Sequence, residues 1–147
     1  MFKKPKDLKE KVFFNASVVL AGLRSPAGGS ARLLFLSKKQ KITGIISEII
    51  LDEVIRHASK IGLKKSRTDL LAKSIFKHIE KAPNPVTVKK CQKLVIDPGD
   101  AHVLASCQEV KTRFLVTLDK KHLLILRKKI KWVKIVSPGE LLEILFK

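Results

Sequence analysis

Tyrosine is absent from this chain of 147 residues, and tryptophan and methionine occur once each. No strand-like run is rich in aromatics, so the sequence gives no sign of a sheet that stacks single-stranded bases. Cysteine is scarce as well. Cys91 and Cys107 lack the paired spacing of a zinc site or redox motif, and Cys107 falls on an apolar helical stripe, so both read as reduced, structural thiols. No apolar run approaches the roughly 18 residues that span a bilayer. The basic start, Lys3, Lys4 and Lys6, continues into charge instead of a signal-peptide apolar segment, which points to the cytoplasm. Acids are the scarce charge. Against 31 Lys plus Arg there are 13 Asp plus Glu, a formal net charge of +18. Such an excess favours polyanions through counterion release and makes nucleic acid the leading partner class, with a lysine-rich solvated surface as the plainer account.

What is present is ordinary for one soluble α/β domain: the length suits a single core, and the hydrophobic content is 45%. Residues 1–10 read as a basic, mobile lead-in and 11–147 as the domain. Short apolar strands are expected over 11–14, 41–46, 94–96, 114–116 and 132–136. Helices are expected between them, over 16–23, from a cap at Ser30 through Leu36, after a cap at Ser47 through Ile61, over 66–79 with Ser66 or Thr68 as cap and Leu70, Leu71, Ile75 and Ile79 as core, and from an opening at Asp97-Pro98-Gly99-Asp100, with Pro98 at the first helical position, through Val110. Lys81 to Val86, with Pro83 and Pro85, reads as a connector. Ser137 and Glu140 form a capping box that opens the last helix. Strands alternating with helices predict an α/β fold, a parallel sheet covered on both faces.

Four polar residues each follow an expected strand: Asn15, Glu48, Asp100 and Asp119. In a parallel sheet these positions gather at the carboxyl edge, so distant residues become neighbours. Singly each has a plain role, as a helix or turn cap or as a charge that complements a helix dipole. Together they form a carboxylate cluster that repels itself unless a cation neutralises it, and oxygen donors without His or Cys suit Mg²⁺ or Mn²⁺. An acidic pocket in so basic a protein points to phosphodiester chemistry, with a metal-bound water as nucleophile. His57, His78, His102 and His122 read as surface residues first. Arg127, Lys128, Lys129 and Lys131 form a basic run that could guide RNA or simply be a solvated loop.

The segments Val12-Phe-Phe-Asn-Ala-Ser-Val-Val, Ile46-Ser-Glu-Ile-Ile-Leu-Asp-Glu-Val, Asp97-Pro-Gly-Asp-Ala-His-Val-Leu-Ala and Phe114-Leu-Val-Thr-Leu-Asp-Lys-Lys-His, in that order, resemble the PIN-domain ribonucleases, above all the single-domain toxins of the VapC type. The resemblance runs from Lys11 to the C-terminus. It implies a three-layer α/β/α sandwich around a parallel sheet, a carboxylate cluster holding Mg²⁺ or Mn²⁺, and endonucleolytic cleavage of single-stranded or structured RNA. It also implies a homodimer and an antitoxin partner that can place a basic side chain in the acidic pocket. Glu48, Asp100 and Asp119 match the family acids, Thr117 a small hydroxyl residue beside the last acid, and Ser17 the polar residue two after the first. Asn15 departs from the usual first aspartate. The amide keeps one ligand oxygen and loses a full negative charge, so activity is expected to be weakened or absent. A non-catalytic RNA-binding module and a structure-specific DNA nuclease stand as alternatives.

Overall fold

The computed structural model describes residues 9–147. Apart from Lys9 and Glu10, the expected basic lead-in lies outside the described residues. The elements run β1 (Lys11–Phe14), α1 (Ala16–Arg24), α2 (Gly29–Lys38), β2 (Thr43–Ser47), α3 (Glu48–Lys60), α4 (Lys65–Ile75), β3 (His78–Glu80) and α5 (Pro85–Gln92). A 3₁₀ turn (Pro98–Asp100) then leads into α6 (Ala101–Val110) and β4 (Phe114–Val116), and a second 3₁₀ segment (Leu124–Lys128) precedes β5 (Lys134–Val136) and α7 (Pro138–Leu145).

All five strands are parallel, in the order β3-β2-β1-β4-β5. Val12, Phe13 and Phe14 in β1 and Phe114, Leu115 and Val116 in β4 are fully buried, as expected of central strands covered on both faces. Helices α1, α2, α3, α4 and α7 pack in one connected set and α5 with α6 in another, giving the three-layer α/β/α sandwich. The chain builds outward from β1 to β2 and β3, then returns to the other side of β1 for β4 and β5. That reversal opens a crevice at the carboxyl ends of β1 and β4.

The sheet differs from the sequence reading in its third strand. Residues 94–96 do not pair: the Leu94 N–H bonds to the Cys91 carbonyl, continuing the turn after α5, and Ile96 is 54% exposed. The third strand is His78–Glu80, beside β2, overlapping the end of what was expected to be a helix over 66–79. That helix stops at Ile75 because Phe76 turns into the core, edge-on to Phe14 with ring centroids 5.0 Å apart. The expected connector also holds α5, opened by the Asn84 side chain accepting the Val86 N–H, with Pro85 in the first turn. Asn84-Pro85 was a legible start signal.

Smaller corrections concern caps and faces. Gly28, not Ser30, precedes α2. Neither Ser66 nor Thr68 caps α4; Thr68 lies inside it and donates to the Lys64 carbonyl. Leu70, Ile61 and Phe146 are exposed where a core face was expected. Ser47 caps α3, Ser137 and Glu140 form the expected capping box of α7, and both cysteines are buried free thiols. Burial pushes the Cys107 thiol up to about 12, which makes it inert.

β2 and α2 approach closely at Gly44. A Cβ there would collide with the Ser37 side chain and come within 3.3 Å of Phe76 Cδ1. Ser37 cannot swing aside without losing its 2.7 Å hydrogen bond to the Ile75 carbonyl, which closes the end of α4. Gly44→Ala is therefore expected to destabilise the fold by about 1–3 kcal/mol. Urea titration should show a lower midpoint with an unchanged slope.

Candidate metal centre

Asn15 is the first residue after β1, and its N–H bonds to the Val116 carbonyl of β4, so it stands at the crevice. Its amide NH₂ donates to Thr117 Oγ1 at 2.8 Å and to Ser17 Oγ at 3.3 Å. Those two oxygens also accept the backbone N–H groups of Asp119 and Leu118, at 3.1 and 3.2 Å. Asn15, Ser17 and Thr117 thus fix the path of the chain that delivers Asp119.

Asp119 in turn holds His122. Its Oδ1 accepts the His122 backbone N–H at 3.0 Å, and its Oδ2 lies 3.3 Å from His122 Nδ1. Across the crevice, Asp100 is the last residue of the 3₁₀ turn that opens α6; the sequence reading placed it after a strand, and none precedes it here. Asp97 caps the turn by accepting the Gly99 N–H. Asp97, Asp100 and His122 each offer a donor atom within 4.8 Å of the others.

Electrostatics single out Asp100. Burial, then the charges of Asp97 and Asp119, raise its carboxyl from 3.8 to about 6; His122 opposes the shift and Glu53 adds to it. Its Oδ2 is buried without a hydrogen-bond partner. An oxygen so placed is costly unless a cation takes it, and two carboxylates with an imidazole suit a divalent ion. The residues present therefore fit a metal.

Glu53 reaches the same neighbourhood from α3. Its Oε1 lies 3.9 Å from Nε2 of His102, a half-buried ring whose pKa burial lowers and Glu53 partly restores. Glu48 is placed differently. It is exposed at the start of α3, and its Oε2 accepts the Ala82 N–H at 2.7 Å across the top of β2 and β3. The charges acting on Asp100 include Glu53 and not Glu48.

The structure thus brings Asn15, Ser17, Thr117, Asp119 and Asp100 to one crevice, adds Asp97, His122 and Glu53, and turns Glu48 toward a backbone amide. One signal for Glu53 was available: it lies three residues after the buried Ile50 and directly before the buried Val54, so it borders the core face of α3. Arg127, in the basic run, is paired with Glu140 at 2.8 Å, while Lys128, Lys129 and Lys131 are exposed. A cavity of about 530 Å³ between this run, β5 and α7 includes none of the candidate acids.

Without metal, the raised Asp100 carboxyl has a defined effect on stability. The folded state holds this proton to about 6 and the unfolded chain only to about 3.8, so between those values the folded state binds more protons. Stability contributed by this group is present below pH 3.8 and is lost as pH rises through 6. Thermal melts in EDTA should show that loss in the native protein, and Asp100→Asn should remove this component of the pH dependence. An unchanged profile in the variant would contradict the assignment.

A family model for the PIN domain matches residues 11–121. No curated protein sequence matches the chain. Among solved structures, the fold is similar to VapBC2 from Rickettsia felis, solved bound to a DNA fragment from their promoter. The TM-score is 0.63 at 17% identity, covering 86% of this chain and 98% of that one. It is also similar to PAE2754 from Pyrobaculum aerophilum, with a TM-score of 0.61 at 17% identity over 94% of this chain and 90% of that one. At such identities the likeness carries the fold alone. Among the described residues, no helix is long and apolar enough to cross a membrane.

Proposed function

The chain belongs to the PIN domain family, and from that premise we propose that it is a metal-dependent endoribonuclease of the toxin type, attenuated by Asn15. The observation that carries this reading is the convergence of Asp97, Asp100, His122, Asp119 and Glu53 at the carboxyl edge of the sheet, with the buried Asp100 Oδ2 left without a partner. Asp100 would hold a Mg²⁺ or Mn²⁺ ion with Asp97, Asp119 would add its charge to the cluster, and Asn15 would contribute through its carbonyl oxygen. When bound, the ion would supply an activated water and offset charge on the leaving oxygen. The chain's own residues do the rest. Ser17 and Thr117 fix Asn15 and the loop to Asp119, and Glu53 with Asp100 offers carboxylates to orient the attacking water. Glu48 holds the 81–84 loop through Ala82 and shapes the rim of the crevice.

The excess of lysine and arginine supplies the affinity for single-stranded or structured RNA. We assign the protein to the cytoplasm as a homodimer, with an antitoxin partner whose basic side chain enters the acidic crevice.

Incubating a mixed RNA panel with Mn²⁺, with Mg²⁺ and with EDTA tests the enzyme. Slow cleavage that needs metal and disappears in Asp100→Ala is the expected result. RNA bound but left intact under every metal condition, in this chain and in Asn15→Asp, would instead establish the non-catalytic module, the reading that the lost charge at Asn15 favours. A DNA panel run beside it separates a DNA nuclease from both.

A further inference from the structure

An all-oxygen pocket was the expectation from sequence, and the folded chain brings a nitrogen donor to it. His122 shares a donor cluster with Asp97 and Asp100, all three atoms lying within 4.8 Å of one another. Its ring is oriented by the carboxylate of Asp119: Nδ1 lies 3.3 Å from Oδ2, while Oδ1 takes the backbone N–H of the same histidine. A carboxylate on one ring nitrogen fixes the tautomer and keeps the other nitrogen's lone pair free, the arrangement found behind metal-bound histidines.

A surface turn can also pair Asp with His three residues later, as a weak ion pair. Here the pair lies against two further carboxylates, one of which has a buried oxygen with no partner. A shared cation accounts for all three groups, whereas a surface ion pair accounts for only one.

The geometry points to His122 as a direct metal ligand through Nε2, with Asp119 as its positioning residue, so that the site selects Mn²⁺ over Mg²⁺. The assignment rests on the metal-dependent reading above and adds the identity of the ion. Mg²⁺ prefers oxygen ligands in near-ideal octahedra and keeps its waters, while the first-row transition ions, among which Mn²⁺ binds nitrogen most weakly, still take imidazole more readily than Mg²⁺ does. Replacing one carboxylate oxygen by an imidazole nitrogen therefore moves the preference away from Mg²⁺. The missing charge at Asn15 acts in the same direction, because a site with fewer anions holds Mg²⁺ mainly through charge and Mn²⁺ also through the nitrogen bond.

Electron paramagnetic resonance of the purified protein titrated with Mn²⁺ tests this directly. Pulsed measurements should detect ¹⁴N coupling from one imidazole on the bound ion. His122→Gln should abolish that coupling and weaken Mn²⁺ binding at least about 10-fold, while changing Mg²⁺ binding far less. Asp119→Asn should keep the coupling and weaken Mn²⁺ binding, since it removes the orienting charge and leaves the ring. Bound Mn²⁺ without ¹⁴N coupling, or a coupling that survives His122→Gln, overturns the ligand role of His122 and leaves the metal-dependent nuclease standing. Failure of both Mn²⁺ and Mg²⁺ to bind at millimolar concentration overturns both.

Discussion

Replacing Asn15 by aspartate is expected to raise divalent-metal affinity and RNA cleavage by at least about 10 to 100-fold, the scale on which groups around a metal act. The substitution restores a full negative charge with almost no change in volume. The surrounding hydrogen bonds allow it. At present the Asn15 NH₂ donates to Ser17 Oγ and Thr117 Oγ1. A carboxylate reverses those two bonds, because each hydroxyl can rotate to donate while its oxygen still accepts the backbone N–H of Leu118 or Asp119. The loop to Asp119 therefore keeps its path, and the new charge lies where the cluster is completed. Isothermal titration with Mn²⁺ measures the first effect, and single-turnover cleavage with and without EDTA measures the second. If Asn15→Asp binds metal no better and cuts no RNA, the crevice is not a nuclease centre.

The second large effect concerns RNA affinity and salt. With a net charge of +18, binding to a single strand should weaken by roughly 300-fold to 10⁴-fold between 50 and 200 mM salt if about six to ten phosphates are contacted. The basic run after the second 3₁₀ segment makes the effect local. Arg127 is committed to Glu140, which also caps α7, and that contact together with the Ser137 N–H holds the Glu140 carboxyl below the usual range. Lys128 and Lys129 are exposed and free to meet phosphate. The double variant Lys128→Ala, Lys129→Ala should reduce the log–log salt slope by about 1.4, or about 0.7 per phosphate contact on a single strand. Arg127→Ala should leave the slope nearly unchanged. Fluorescence anisotropy across a salt series separates these outcomes, and equal slopes in all three proteins would place the RNA elsewhere.

The sequence carried the centre of the fold better than its margins. β1 and β4 are continuous apolar runs buried on both faces, and short runs of that kind between turn signals are what central parallel strands require. β3 was hidden because His78, Ile79 and Glu80 form a short strand at the sheet edge, two of its three residues polar and none fully buried. The run over 94–96 misled for the opposite reason: Leu94 and Val95 pack against the core from a turn, so their hydrophobicity records contact without strand pairing. At the site, position after a strand was the useful cue for Asn15 and Asp119. It could not find Glu53, which enters from the second turn of α3, or Asp97, whose role as a turn cap masks its approach to Asp100 and His122. Nor could it foresee that Glu48 would be drawn to the Ala82 amide once β3 formed beside β2.

The bond from Asn15 to Thr117 joins residues 102 positions apart in the chain. The crevice thus has walls from two distant stretches of the chain, and long-range pairing of this kind is slow to form. A ribosome making this protein releases Asn15 and Glu53 well before Asp97, Asp100, Asp119 and His122 exist. A chain from which only the first of these stretches has emerged therefore holds no assembled crevice.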